Sequence, residues 1–128
     1  MPKDFKQKAY ELYDKWRKEE IYCPAFAANV RFSLKGWRHL VGSTGSKKRR
    51  LTDVYRRLKL LPYAREIIEK STTIQNAEKR GSQMFYALEA VVVVGEKGDR
   101  SPRKVRVIFE EDRQGNKIFL SVMDKKKR

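Results

Sequence analysis

His39 is the single histidine of the chain and stands in Phe32-Ser33-Leu34-Lys35-Gly36-Trp37-Arg38-His39-Leu40, directly before the most basic stretch of the sequence. An imidazole both accepts and donates a proton near neutral pH. The Lys and Arg residues around it are the side chains that hold phosphate. Between positions 35 and 59 lie nine basic residues (35, 38, 47, 48, 49, 50, 56, 57 and 59) and one acid, Asp53. One titratable ring among cations points to proton-transfer chemistry on a polyanion, for which RNA is the natural candidate.

The whole chain repeats that bias. It has 128 residues, 31 basic and 16 acidic, with a formal net charge of +15, which makes nucleic acid the default partner. The length is one domain's worth of material, sufficient for a modest core. A single cysteine, Cys23, excludes an internal disulfide. One Cys and one His cannot assemble a zinc site from one chain, so neither a metal nor another cofactor is expected. Cys23 reads as an apolar packing residue. No apolar run approaches a membrane span, and Met1-Pro2-Lys3-Asp4 lacks the apolar core of a signal peptide. The expected setting is therefore the cytoplasm, with no membrane partner.

The elements that must position these residues follow from periodicity. Phe5, Ala9, Leu12, Tyr13 and Trp16 recur at helical spacing, which predicts an N-terminal helix within 1–20. Val30, Phe32 and Leu34 alternate with polar residues, predicting a short strand, and Trp37 to Val41 predicts one helical turn. Gly42-Ser43-Thr44-Gly45-Ser46 reads as a phosphate-contacting loop. It matches the Gly-x-x-Gly clamp of KH modules, but its spacing is wrong for a nucleotide-hydrolysing loop. After Lys47, Lys48, Arg49 and Arg50 comes a helix with Leu51, Val54, Tyr55 and Leu58 on its apolar face and Arg56, Arg57 and Lys59 outside. Pro62 is expected to end it and open a shorter helix.

The second half predicts sheet. Ser71 to Ile74 is β-branched, Met84 to Val94 is a long strand, and Val105, Val107 and Phe109 alternate with Arg106 and Ile108. Asp112 to Asn116 is a turn, and Ile118, Leu120 and Val122 alternate with Phe119 and Ser121. The expected fold is α+β, with N-terminal helices on one face of a four-stranded antiparallel sheet and the other face partly open. It divides as one domain into the first helix (1–20), a basic helical block (28–70), the sheet (71–124) and a solvated basic tail (125–128).

This order of parts resembles the barnase–EndoU–colicin–RelE superfamily of small metal-independent RNases, many of them toxins. The segments that carry the resemblance are Phe32 to His39, Lys104 to Phe109 and Lys117 to Val122. The resemblance implies a toxin-like endoribonuclease with catalytic positions at His39, Arg106 and Ser121, and more distantly at Lys35 and Tyr86. It also implies an acidic antitoxin or immunity protein as partner. In such chemistry a base activates the ribose 2′-OH, cations stabilise phosphoryl charge and an acid protonates the 5′-oxygen. Alternation puts Arg106 off the core face as a phosphate clamp. It puts Ser121 beside it, with Phe119 on the same face to stack on a base. Arg38, Arg80 and Lys104 add positive charge, and Tyr86 offers a proton or a stacking surface. The RNA would be single-stranded, structured, ribosome-bound or tRNA. The structural alternatives stay open: Arg106 as a cross-strand partner of Glu89 or Glu110, Tyr86 in the core with Met84 and Leu88, and Phe119 merely covering the sheet. The competing function is a non-catalytic RNA- or DNA-binding module on the same basic face.

Overall fold

The computed structural model describes residues 3–42, 51–95, 98 and 100–124. The chain runs α1 (Lys3–Arg17), β1 (Ile21–Cys23), β2 (Ala28–Val30), α2 (Leu34–Val41), α3 (Leu51–Lys70), β3 (Asn76–Arg80), β4 (Gln83–Val94), β5 (Ser101–Glu111) and β6 (Lys117–Asp124). The last four strands form an antiparallel sheet in sequence order, and β1 and β2 form a separate hairpin. The hairpin is tied to the sheet where Arg31 bridges Ile118. This is the expected α+β arrangement. No described helix is long and apolar enough to cross a membrane.

α1 buries Ala9, Tyr13 and Trp16, the stripe the spacing predicts. Asp4 in its first turn and Lys15 and Arg17 in its last oppose the helix dipole. α2 is a correction: Leu34 opens a two-turn helix, where alternation had extended the strand. The cause is Ser33, whose hydroxyl accepts from the Gly36 amide as an N-cap. Gly42 closes the helix in the left-handed conformation at φ 75°. Gly36 faces inward, and a Cβ there would collide with the Tyr13 hydroxyl and the Phe119 carbonyl. That close approach is what seats α2 against β6.

Pro62 also departs from expectation, because α3 runs unbroken through it to Lys70. Val54, Leu58, Leu61, Ala64 and Ile68 keep one buried stripe on both sides of the proline. Burying that stripe outweighs the roughly 3 kcal/mol that an interior proline costs. Ser71 to Ile74 is not a strand. The first strand of the sheet is instead Asn76 to Arg80, exposed along its whole length, and therefore lacking the alternation that reveals strands. It is the charged edge of the sheet.

The core face of the sheet carries Leu88, Val105, Val107, Phe109, Phe119 and Val122, all buried. Phe119 pairs with Phe109 and Ser121 pairs with Ile108, so the register shifts here and Leu120 is the extra residue of a bulge. The bulge overturns the expected alternation. Phe119 turns inward, stacks on Phe32 at 4.7 Å between centroids and is fully buried. It cannot stack on a base.

Candidate functional site

Residues of α2 and of the four-stranded sheet enclose a cavity of about 230 Å³ whose walls include His39, Arg80, Arg106 and Ser121. Four chain segments deliver these groups. Strand alternation turns Arg106 away from Val105 and Val107. Its guanidinium meets Glu89 across the β4–β5 ladder at 2.6 Å, and Lys104 approaches the same carboxylate at 3.6 Å. Arg106 is thus both a cavity wall and the cross-strand partner that its neighbours allowed.

Ser121 is almost wholly buried. Its hydroxyl accepts from Arg57 Nη1 at 2.5 Å, while Arg57 Nε reaches Asp53 at 3.2 Å. The Arg57 side chain is only 13% exposed, so it is no surface decoration: α3 aims it at β6 beside the cavity. The Asp53–Arg57 spacing of four residues is the signal in the sequence that marks it. Lys35 lies one turn before His39 on α2 and pairs with Glu110 at 3.0 Å. Glu110 is itself buried and also accepts from Gln83 at 3.2 Å. Arg80 ends β3 and pairs with Glu78 at 3.2 Å.

The cations around the cavity are therefore held by carboxylates: Asp53 one helical turn away, Glu78 on the same strand, and Glu89 and Glu110 from other elements. Such pairing fixes guanidinium geometry and lowers the net positive field of the site. A site of this kind binds an anion by aimed donors more than by bulk charge.

The remaining candidates separate. Tyr86 borders the cavity, but its ring packs 5.6 Å from Phe26 and its hydroxyl donates to Glu111 at 2.9 Å. That hydrogen bond, aided by partial burial and the Glu111 charge, raises its pKa above the ordinary phenol value. It is thereby a poorer proton carrier at neutral pH. Arg38 and Arg56 are exposed on α2 and α3, and Lys104 is exposed on β5. Lys47, Lys48, Arg49 and Arg50 lie outside the described residues. Cys23 is buried, and burial raises its thiol pKa, consistent with a packing role. Residues that sequence reasoning passed over are Asn76, Glu78 and Phe85, all cavity walls. Asn76 and Glu78 lie on the exposed, non-alternating β3, where nothing marks them, and Phe85 lies on β4 paired with Glu78.

A family model described as Large polyvalent protein-associated domain 3 matches residues 1–119. No curated protein matches the sequence. Among solved structures, one described as a contact-dependent growth inhibition toxin–immunity protein complex from Klebsiella pneumoniae 342 aligns with 14% identity and a TM-score of 0.44. The alignment covers 75% of this chain and 93% of that one. A likeness that slight carries no argument about this chain.

Proposed function

We propose, for a chain that belongs to the Large polyvalent protein-associated domain 3 family, a metal-independent endoribonuclease activity of toxin type that cuts RNA by 2′-OH transesterification in the cytoplasm. One observation carries the reading: His39, Arg106 and Ser121, far apart in sequence, line a single cavity enclosed by α2 and the sheet. The net charge of +15 supports RNA as the substrate.

In this reading His39 removes the 2′-OH proton. The 2′-oxygen attacks phosphorus, the bond to the 5′-oxygen breaks, and the imidazolium returns its proton to that oxygen. The products are a 2′,3′-cyclic phosphate and a 5′-hydroxyl. Arg106 and Arg57 stabilise the charge that gathers on the phosphoryl oxygens. Ser121 acts through Arg57 as a positioning residue, and Lys35, held by Glu110, adds positive charge one turn from His39. Tyr86 is assigned no proton. The exposed Arg38 and Arg56 contact flanking phosphates, and an acidic antitoxin or immunity protein is the complementary partner.

RNA incubated with the protein in EDTA should acquire 2′,3′-cyclic phosphate ends, and His39→Ala should remove that activity while sparing RNA binding. The ion-paired state of the cavity cations favours one second reading, a module that binds RNA or DNA without cutting it. RNA retained with a steep salt dependence and left intact by the unaltered protein would decide for that module.

A further inference from the structure

The cavity has one wall to which the catalytic reading gives no task. In the β3–β4 ladder Glu78 pairs with Phe85 and Asn76 with Ala87. Directly paired residues point to the same side of a sheet, and positions 76, 78 and 80 share a face by their spacing of two. Asn76, Glu78, Arg80 and Phe85 accordingly line the cavity together. The Arg80 guanidinium lies 5.1 Å from the Phe85 ring centroid, and its side chain is 66% exposed. Cation and ring form a layer with its outer side toward solvent.

The chemistry of this wall differs from that of the His39 and Arg106 side. Arg80 pairs with Glu78 at 3.2 Å, much as Arg106 pairs with Glu89, but here the guanidinium also covers an aromatic ring. The wall offers a guanidinium–aromatic surface, on which bases stack, and a carboxylate and an amide, which read base edges. At about 230 Å³ the cavity falls below the roughly 300–1,000 Å³ of drug-sized sites and has room for a single base. Resting on the ribonuclease reading, we propose that the β3–β4 wall is a nucleobase subsite: the base stacks on the Arg80–Phe85 layer while Glu78 and Asn76 read its Watson–Crick edge. A carboxylate only accepts hydrogen bonds. The favoured base is therefore guanine, whose edge presents adjacent N–H donors, and uracil, with one N–H between two carbonyls, is disfavoured.

The test uses the full chain carrying His39→Ala, so that no probe is consumed, and four labelled single-stranded RNA oligonucleotides that differ at one central base. The guanine probe should bind about 10-fold tighter than the uracil probe. Glu78→Gln, at a half-exposed position, should bring that ratio close to one with uracil-probe affinity unchanged. Phe85→Leu, with folding checked by thermal melting, should weaken all four probes about 10-fold. Its salt dependence should stay unaltered, because no phosphate contact is removed. Equal affinity for the four probes, or a guanine preference that survives Glu78→Gln, overturns the subsite. Selective binding without RNA cleavage by the unaltered chain would sink the nuclease reading and leave the subsite standing. Cleavage without base selectivity would do the reverse.

Discussion

Two of the cavities among the described residues differ sharply, and the larger of the pair is the less interesting chemically. Between α1 and α3 lies a space of about 370 Å³ walled by Phe5, Leu12, Leu58, Leu61, Pro62 and Val94. The cavity enclosed by α2 and the sheet is smaller, about 230 Å³, yet it gathers an imidazole, two guanidiniums and a buried hydroxyl. Neither His39 nor a carboxylate-held guanidinium reaches the larger one; its lysines, Lys8 and Lys59, bring long stems with a cationic end. Volume therefore says little about chemistry here. Convergence of polar groups from segments distant in sequence says much more, because aligning them requires a fold that holds each in place.

The sharpest way to break this contrast is kinetic. His39→Ala should lower RNA cleavage by about 10²–10⁴-fold, whereas Leu12→Ala in the larger cavity should leave the rate within about twofold. Initial rates in EDTA on one RNA decide it, and a comparable loss in both variants ends the distinction. The next effect is on stability. Phe119→Ala should cost about 3–5 kcal/mol in urea unfolding, as expected for an aromatic in a packed core. A change in RNA affinity without that destabilisation would return Phe119 to the surface. Gly36→Ala should cost about 1–3 kcal/mol by overpacking α2 against Tyr13 and β6, seen as a lower midpoint in the same titration.

Ser121→Ala should reduce cleavage about 10-fold by loosening Arg57 and leave RNA affinity nearly unchanged. Single-turnover rates beside equilibrium binding would show it, and an equal loss in both would make Ser121 a binding residue. The smallest effect lies in the β5–β6 turn, outside the lining of either cavity. Asp112 accepts from the Gln114 and Asn116 amides and the Asn116 side chain, each at 2.9 Å. The Asn116 side chain leads the causes that hold its carboxyl below the ordinary value. A lowered folded pKa contributes stability above the unfolded value, near about 3.9, that is lost as pH falls through the folded one. Amide exchange should therefore show the β5–β6 turn protected at about pH 5 and open only in stronger acid. Asp112→Asn should remove that pH dependence.

How far the sequence could be read depended on whether an element buries one face. α1, β4 and β5 bury one side more than the other, so periodicity places each within a few residues. β3 buries neither, so it left no trace and took Asn76 and Glu78 out of view with it. Pro62 misled for a different reason: local rules weigh the lost hydrogen bond but not the apolar stripe that continues through α3. At the cavity, His39 and Arg106 were legible as residue types in a basic setting. Arg57 was misplaced on the surface because only the docking of α3 on β6 turns it inward.

Composition and periodicity were enough for the layered α+β plan, the strongly positive charge and the choice of His39 as the one imidazole. These depend on residue type and on neighbours a few positions away. Which carboxylate holds which cation, and which side of β6 each residue faces, waited for the folded chain. One extra residue at Leu120 reverses the faces of Phe119 and its neighbours, and Lys35 meets Glu110 across 75 positions of sequence. Long-range pairing and register of this kind arise from packing, which no local pattern encodes.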